Sequence, residues 1–335
     1  MQMNLKLTAV AALSSGVGEQ GNRRRPVAAT LPRRLPIGTP AAGRPVLMFL
    51  HGFPEGAFVW DLLLEHFALP ANGAYRCVAP NLRGFERSSA PVEASAYRPK
   101  HLVQDIAALI ALQTQAGDGR ADGAPLACLI AHDWGGAVAW NLANRRPELA
   151  SRLAIINSPH PGTFLRELKN NLRQQSASAY MNFLIRPDAE QLLAQDDFRR
   201  LWRFLTEGDA GTQANAWLTE GVKAQYREIW SQGLTGGCNY YRASPLRPAR
   251  KDDAGVANID LPRSMLTVDL PTLLIWAMQD VALLPGLLDG LEDYVKHLTV
   301  KKVSDASHWI VHEQPQRVIG LLEDFLRQSA KQSVQ

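Results

Sequence analysis

The sequence has few cysteines for its length: Cys77, Cys128 and Cys238 among 335 residues. Their number is odd and their spacing shows no close pairs, so the usual sequence signs of a disulfide framework or of a metal site are missing. We therefore expect no stabilising disulfides, no bound metal and no cofactor.

Long apolar runs and a strongly one-sided charge are also missing. No apolar stretch approaches the ~18 residues that a membrane-spanning helix needs, so we expect no membrane span. The formal net charge is only +4, and the basic residues cluster at Arg23, Arg24, Arg25, Arg33 and Arg34 without interleaved aromatics. We interpret this cluster as solvated surface and expect no nucleic-acid partner.

The N-terminal stretch contains one lysine and a short apolar run at residues 7–13. This run is at the lower limit for the apolar region of a signal peptide, so a short secretion signal stays an alternative. The simpler prediction is an edge strand with a turn at residues 14–16, in a cytoplasmic protein that is a monomer or homodimer. Residues 21–44, rich in Arg, Pro, Gly and Ala, are predicted to be irregular.

Short apolar runs alternate with helix-like segments through much of the chain. Continuous apolar runs are typical of strands that are buried on both faces of a parallel sheet. Such runs lie at 45–50, 77–80, 129–133, 153–157, 270–276 and 298–303. Helix-like spacing lies at 59–67, 102–112, 137–144, 287–294 and 315–329. This alternation predicts an α/β fold, a parallel sheet with helices on both faces.

The alternation stops between Pro161 and Pro248, where aromatic residues at helix-like spacing replace buried strands. We predict a helical subdomain inserted late in an α/β core. The predicted parts are residues 1–160 as the first part of the core, 161–250 as a helical cap and 251–335 as the second part of the core. A chain of 335 residues is long enough for one such core with an insertion.

One apolar run ends abruptly at small residues and resumes at helical spacing, with Asp133 at the break. Ala131 and Gly135 leave the backbone room to turn sharply from a strand into a helix, the pattern of a nucleophile elbow. A carboxylate at this turn can attack an electrophilic carbon and form an ester, but it is poorly suited to cleaving amides or esters. The alternative is that Asp133 only caps the helix.

Two further polar residues follow later strands. Asp280 comes just after the strand predicted at 270–276, and His308 follows the one predicted at 298–303. Ligands bind at the carboxyl edge of an open α/β sheet, so these side chains should lie near Asp133. The order nucleophile, acid, histidine is that of α/β-hydrolase triads, with aspartate in place of serine. The alternatives are a helix cap for Asp280 and a hydrogen-bonded loop histidine for His308.

Three motifs resemble those of a known family: His-Gly-Phe-Pro-Glu at 51–55, Ala-His-Asp-Trp-Gly-Gly at 131–136 and Ser-His-Trp at 307–309. They look like the motifs of the α/β-hydrolase-fold epoxide hydrolases, relatives of the haloalkane and fluoroacetate dehalogenases. The resemblance covers residues 45–328 and is more specific in the core than in the cap. It implies a mostly parallel sheet with helices on both faces and an inserted helical cap.

The resemblance implies a mechanism in two steps, with a small apolar epoxide and water as the ligands. Asp133 would attack an epoxide carbon to give an alkyl-enzyme ester. His308, oriented by Asp280, would then activate the water that hydrolyses this ester. Attack needs an ionised Asp133, which the N–H groups of the elbow and the helix N-terminus favour.

The same resemblance assigns the surroundings of the nucleophile. The backbone N–H groups of Phe53 and Trp134 would form an oxyanion hole, and a cis peptide bond would precede Pro54. The side chains of Phe53 and Trp134 would also contact substrate. His160 lies where the core leads into the cap and is a third substrate-binding candidate, although its proline-rich turn favours a role as a hinge.

Opening an epoxide also requires a proton donor, because the departing oxygen stays on the substrate as an alkoxide. In the family two cap tyrosines supply the proton. The resemblance places them at Tyr180 and Tyr241, with Tyr240 as the neighbour most easily confused with the donor. Around Tyr180 the flanking aromatics of the family are replaced. The alternative for each tyrosine is a place in the core of the cap, with a hydrogen-bonded hydroxyl.

Two alternative functions use the same fold. A haloalkane dehalogenase shares the carboxylate nucleophile, and Trp134 is placed to donate to a halide, but Phe53 stands where such enzymes often have a second donor, Asn. Trp134 also replaces the Arg that follows the nucleophile in fluoroacetate dehalogenases. The other alternative is a ligand-binding protein that keeps the fold without turnover, against which the complete set of Asp133, Asp280 and His308 argues.

Overall fold

The computed structural model describes residues 44–114, 124–206 and 215–328 and the backbone of residues 7–9. Its centre is a seven-stranded sheet in the order β1-β3-β2-β4-β5-β6-β7. β1 pairs antiparallel with β3, and every other neighbouring pair is parallel. The strands are β1 (Leu7–Ala9), β2 (Val46–Leu50), β3 (Arg76–Pro80), β4 (Cys128–His132), β5 (Leu153–Ile156), β6 (Thr272–Ala277) and β7 (Leu298–Val303).

Burial explains why the strands could be recognised in the sequence. β2, β4, β5 and β6 are buried along their whole length, since helices cover both faces of the sheet, and so each is a continuous apolar run. β7 lies at the edge, where Lys301 and Lys302 are exposed. Charged residues on an edge strand discourage pairing with another chain.

The helices divide into those of the core and those inserted between β5 and β6. The core helices are α1 (Asp61–Ala68), α2 (Pro99–Thr114), α3 (Asp133–Arg145), α10 (Ile310–Glu313) and α11 (Pro315–Gln328). The inserted helices are α4 (Pro161–Asn170), α5 (Leu172–Ala177), α6 (Tyr180–Leu184), α7 (Ala189–Thr206), α8 (Glu220–Ser231) and α9 (Thr235–Ala243). α7 is broken where Asp196, Asp197 and Phe198 all have positive φ.

The order of the strands places the candidate site. The chain passes from β2 through α1 to β3 in one direction along the sheet, and then through α2 to β4 and through α3 to β5 in the other. Right-handed crossovers put α1 on one face and α2 and α3 on the opposite face, and α11 packs on α1. The direction reverses between β2 and β4, and such a reversal opens a ligand-binding crevice at the carboxyl ends of the strands.

The predicted fold class is confirmed, and the strands follow the apolar runs. The edge strand is present as β1, whereas the turn at 14–16, residues 21–43 and the arginine cluster lie outside the described residues. The helix predicted at 287–294 is wrong. Two 3₁₀ turns, Pro285–Leu288 and Leu291–Asp293, replace it because Asp289 is extended and Gly290 has a φ of +69°. The cap boundaries at residues 161 and 250 stay a prediction.

Within the described ranges, no helix is both long enough and apolar enough to cross a membrane. The three cysteines are buried and unbonded to one another. Burial raises the pKa of each thiol to about 12, so all three remain protonated and unreactive.

Candidate active site

The first functional side chain lies where β4 ends and α3 begins. Asp133 opens α3 with a φ of +48°, a left-handed conformation that non-glycine residues rarely adopt. Its Oδ1 atom accepts a hydrogen bond from the backbone N–H of Phe53 at 2.8 Å. The carboxylate is therefore turned toward the loop after β2, away from the N–H groups of its own helix. A capping role does not account for this orientation.

Two glycines make this close approach possible. A Cβ atom on Gly135 would lie 2.3 Å from the carbonyl oxygen of Leu50, and one on Gly52 would lie 2.4 Å from the Cβ and Oδ1 atoms of Asp133. Both positions need glycine because β2 and its loop run directly against the elbow. The peptide bond between Phe53 and Pro54 is cis, as the resemblance implied.

Asp280 and His308 meet Asp133 at the carboxyl edge of the sheet. The Nδ1 atom of His308 lies 2.6 Å from Oδ2 of Asp280, and its Nε2 atom lies 3.8 Å from Oδ2 of Asp133. The other oxygen of Asp280 accepts hydrogen bonds from the N–H groups of Ala282 and Leu283, at 2.9 Å each. Asp280 thus stabilises its own turn, although no helix begins there for it to cap, and it also contacts the histidine.

Asn157 holds Asp280 in place, although the sequence analysis does not identify it as a functional residue. The side chain is fully buried, and the residue has a φ of +39°. Its Nδ2 atom donates to Oδ2 of Asp280 at 2.8 Å, and its Oδ1 atom accepts from the N–H of Ala277 at 2.9 Å. The available signal was a polar residue directly after a buried strand, at the edge where ligands bind.

Burial and neighbouring charges set the protonation of the pair. Burial lowers the pKa of His308. The charges of Asp280 and Asp133 outweigh this effect and raise the pKa above its ordinary value, to about 9. Burial raises the pKa of Asp280, but His308 and Asn157 bring it below its ordinary value. At neutral pH the free protein therefore holds an imidazolium–carboxylate pair beside Asp133.

A second polar layer, which the sequence did not predict, lies behind these residues. The Nε2 atom of His132 donates to the carbonyl oxygen of His308 at 3.0 Å, and its Nδ1 atom lies 3.3 Å from Oε2 of Glu55. Oε1 of Glu55 accepts from the Tyr226 hydroxyl and from Nε2 of His312, at 2.8 Å each. Burial raises the pKa of Glu55, but His132 and His312 outweigh it and keep the carboxyl ionised.

Two tyrosines from the inserted helices line the same cavity as Asp133. Tyr180 opens α6 and Tyr241 lies in α9, with ring centroids 6.0 Å apart. Burial, together with nearby charge that includes Asp133, raises the pKa of both hydroxyls, so both stay protonated. The Tyr240 hydroxyl instead donates to the carbonyl oxygen of Arg83 at 3.0 Å.

Comparisons with known proteins point to one family. A family profile described as the alpha/beta hydrolase fold matches residues 45–315. Epoxide hydrolase 1 of Caenorhabditis elegans is 31% identical over 299 residues, which cover 87% of this chain and 67% of that protein. Epoxide hydrolase 3 of Xenopus tropicalis is 32% identical, covering 85% of this chain and 72% of that protein. The chain belongs to the epoxide hydrolase family of α/β hydrolases.

Solved structures agree with this assignment. The epoxide hydrolase of Bacillus megaterium, in complex with an inhibitor, superposes with a TM-score of 0.74 at 29% identity, covering 85% of this chain and 94% of that one. Potato epoxide hydrolase, solved as a laboratory-evolved variant, superposes with a TM-score of 0.68 at 26% identity. The match covers 86% of this chain and 94% of that one. The resemblance inferred from the three motifs is thus confirmed.

The epoxide hydrolase site opens into two cavities that share Asp133 and Tyr180. The larger cavity, about 590 Å³, is mostly apolar and includes Trp134 and Tyr241 in its wall. The smaller, about 220 Å³, lies on the side of His308 and includes Phe53. Trp134 and Phe53 are therefore placed where substrate contacts were predicted, and their roles as substrate contacts and as oxyanion-hole donors stay predictions.

His160 lies within the described part of the chain but lines neither of these cavities. Its Nε2 atom donates to the carbonyl oxygen of Leu266 at 2.9 Å, and its Nδ1 atom accepts from the N–H of Gly162 at 3.2 Å. The ring stacks on Tyr294 at a centroid distance of 4.8 Å, and burial lowers its pKa to about 4. The expected substrate-binding role is corrected: His160 caps α4 and fixes the start of the insertion.

Proposed function

We propose that this protein hydrolyses epoxides to vicinal diols through a covalent ester on Asp133. The observation that carries the proposal is the setting of that carboxylate. One oxygen faces the N–H of Phe53 at 2.8 Å, the other faces His308 at 3.8 Å, and the protonated Tyr180 and Tyr241 line the same cavity as this carboxylate. A nucleophile and two acids thus border one cavity.

In the first step an oxygen of Asp133 attacks one epoxide carbon, and the bond between that carbon and the epoxide oxygen breaks. The oxygen leaves as an alkoxide that remains on the substrate and takes a proton from Tyr180 or Tyr241. The product of this step is an alkyl ester of Asp133. The cavity is lined mostly by apolar side chains, which strengthen the interaction between the phenols and the developing negative charge.

In the second step His308 takes a proton from water, and the resulting hydroxide attacks the ester carbonyl carbon of Asp133. The N–H of Phe53 then stabilises the tetrahedral oxyanion, as it already contacts this oxygen in the free protein. Collapse of the intermediate breaks the bond between the carbonyl carbon and the substrate oxygen. That oxygen takes the proton of the new carboxylic acid, so the diol leaves and the carboxylate is restored, and the phenolate formed in the first step regains its proton from solvent. Asp280 stabilises the imidazolium that forms, at 2.6 Å from Nδ1 of His308.

The test is a panel of terminal and aryl epoxides and short haloalkanes, scored for diol by mass spectrometry and for halide by ion chromatography. Wild-type protein should give diol, and Asp133→Asn should reduce it by about 10⁴-fold or more, since the amide is a poor nucleophile. Asp324→Asn, an exposed acid on α11, is the matched control and should retain activity. Full turnover by Asp133→Asn would contradict the proposal.

Halide release without diol would support the dehalogenase alternative. That reaction needs N–H donors for a finished anion, and the dehalogenase alternative assigns this role to Trp134. The cavity wall carries two tyrosine hydroxyls beside Asp133, an arrangement suited to protonating an alkoxide. We therefore expect diol and little halide.

The hydrolytic step should speed up as pH rises, with a midpoint below 9. His308 must be neutral to accept a proton from water, and the charges of Asp280 and Asp133 raise its pKa to about 9 in the free protein. Esterification removes the charge of Asp133, so the pKa of His308 falls when the intermediate forms. Single-turnover decay of the ester across pH measures this midpoint. A midpoint at or above 9 would show that the charge of Asp133 does not act on His308.

A further inference from the structure

Gln174 is a fully buried polar residue outside the catalytic set. It lies in α5, and its side chain is 0% exposed. Its amide nitrogen donates to the carbonyl oxygen of Ala282 and to Oγ of Ser178, at 2.8 Å each, and its amide oxygen accepts from the N–H of Leu284 at 3.0 Å. The orientation of the amide is fixed, because a backbone carbonyl only accepts and a backbone N–H only donates. Every polar atom of this side chain is therefore committed.

One end of these contacts is the turn that carries Asp280. Within this turn, Oδ1 of Asp280 accepts hydrogen bonds from the N–H groups of Ala282 and Leu283. Gln174, 108 residues earlier in the chain, binds the carbonyl oxygen of Ala282 and the N–H of Leu284. The turn is thus held both by its own carboxylate and by the amide of a side chain from the insertion.

The other end of the contacts is the segment that carries Tyr180. Ser178 is buried and lies two residues before Tyr180, and its N–H donates to the carbonyl oxygen of Gln174 at 2.9 Å. Its own carbonyl oxygen accepts from the N–H of Met181, in the first turn of α6, at 3.1 Å. The hydrogen bond from the Gln174 amide to Oγ of Ser178 therefore ties the start of α6 to the turn of Asp280.

Both segments line the smaller cavity, on the side of His308. The segment from α5 to α6 contributes Ser176, Ala177 and Tyr180, and the turn contributes Asp280, Val281 and Ala282. Gln174 lies in the described part of the chain and lines neither cavity, so it can act on the reaction only through the groups that it holds. A buried amide suits this task, because hydrogen bonds are stronger away from water.

We propose that Gln174 is a positioning residue for both chemical steps, because its amide keeps the proton donor Tyr180 and the triad acid Asp280 at a fixed separation across the smaller cavity. This inference rests on the proposed epoxide hydrolase function. Opening of the epoxide needs the Tyr180 hydroxyl at the departing oxygen, and hydrolysis of the ester needs His308 held by Asp280. One amide thus serves an acid in the first step and a base in the second.

Single-turnover measurements on Gln174→Met test this role. Methionine has a similar length but leaves the carbonyl oxygen of Ala282 and the N–H of Leu284 without their partner. We expect formation and decay of the ester each to slow by about 10- to 10²-fold, the range that a small misplacement of reacting groups produces. The dissociation constant of the substrate should change little, because Gln174 acts through the reacting groups. Gln175→Met, at the half-buried neighbour, is the matched control and should leave both rates unchanged.

Ser178→Ala separates the two ends of the contacts. It removes the hydroxyl that joins the amide to the segment of Tyr180, while the hydrogen bonds of Gln174 to the turn of Asp280 remain. Formation of the ester should slow by about two- to tenfold, the loss expected from a single hydrogen bond. Decay of the ester should keep its wild-type rate.

Gln174→Glu shows whether the hydrogen bonds or only the shape of the side chain matter. As a neutral acid, the new side chain donates to the carbonyl oxygen of Ala282 and accepts from the N–H of Leu284, whereas its carboxylate would repel that carbonyl. Burial and the charge of Asp280 in the same turn disfavour the carboxylate. Compared with wild type at each pH, Gln174→Glu should approach full activity at low pH and the activity of Gln174→Met at high pH.

The outcomes distinguish failure of this role from failure of the function. Thermal melting gives the folded fraction of each variant, so rates refer to folded protein. Wild-type rates for both steps in Gln174→Met, or a loss no larger than that in Gln175→Met, would overturn the positioning role while leaving epoxide hydrolysis intact. If Gln174→Met does not fold, Ser178→Ala decides, since equal effects on both steps would contradict the proposed link. A wild type that forms no diol would contradict the proposed function and this role with it.

Discussion

Replacing His308 by Gln is expected to stop the reaction after its first chemical step, leaving the protein esterified on Asp133. Attack by the carboxylate requires no proton transfer to His308, whereas hydrolysis of the ester requires a base for water. Glutamine fills similar space but cannot accept the proton. Steady-state turnover should fall by about 10²- to 10⁴-fold, the usual contribution of a general base.

Mass spectrometry of the intact variant after a single exposure to epoxide should show the added mass of one substrate. Proteolysis should place this mass on the peptide that contains Asp133. His297→Gln, at an exposed histidine, is the matched control and should turn over without accumulating an adduct. The double variant Asp133→Asn/His308→Gln should show no adduct. If His308→Gln alone also stays unmodified while the wild type forms diol, a covalent route through Asp133 is untenable.

The parts of the fold that could be predicted depend on local patterns with a direct physical cause. β2 and β4 are buried on both faces, so each is a continuous apolar run. The elbow could be predicted because Ala131 and Gly135 are small where the chain turns sharply. The approach of Asp280 and His308 to Asp133 followed from their position after parallel strands, whose carboxyl ends share one edge.

The parts that could not be predicted depend on contacts between distant segments. The Tyr226 hydroxyl reaches Glu55 across 171 residues of sequence, and no periodicity shows which face of α8 meets the loop after β2. The position of His160 at the start of the insertion is consistent with a role in the pocket as well as with the favoured role as a hinge, but a hydrogen bond turns its ring toward Leu266. Residues 287–294 have helical apolar spacing, yet the positive φ of Gly290 divides them.

Replacing Tyr241 by Phe should slow epoxide opening by about 10²- to 10⁴-fold, as expected when a general acid is lost. The hydroxyl is buried and kept protonated beside Asp133, in the cavity where the alkoxide forms. Tyr180 remains in the variant and should supply the residual activity. Tyr180→Phe should also lower the rate, and the double variant should lose more than either single one.

Tyr240→Phe is the matched control because it removes the same atom from the neighbouring residue. The Tyr240 hydroxyl is committed to the carbonyl oxygen of Arg83 at 3.0 Å, so its loss should cost about 1 kcal/mol of folding stability and little activity. Comparable losses of activity in Tyr240→Phe and Tyr241→Phe would overturn the assignment of the donor.

The reaction step that Tyr241→Phe slows shows whether Tyr241 is a proton donor or only shapes the cavity. Tyr241→Phe should slow formation of the ester, so no adduct accumulates, whereas His308→Gln slows its hydrolysis and an adduct builds up. Epoxides with electron-withdrawing substituents stabilise the departing alkoxide and need the proton less, so Tyr241→Phe should impair them less than alkyl epoxides. A loss of equal size for both kinds of epoxide would assign Tyr241 to packing against Trp134, with which its ring already makes an edge contact at 5.0 Å.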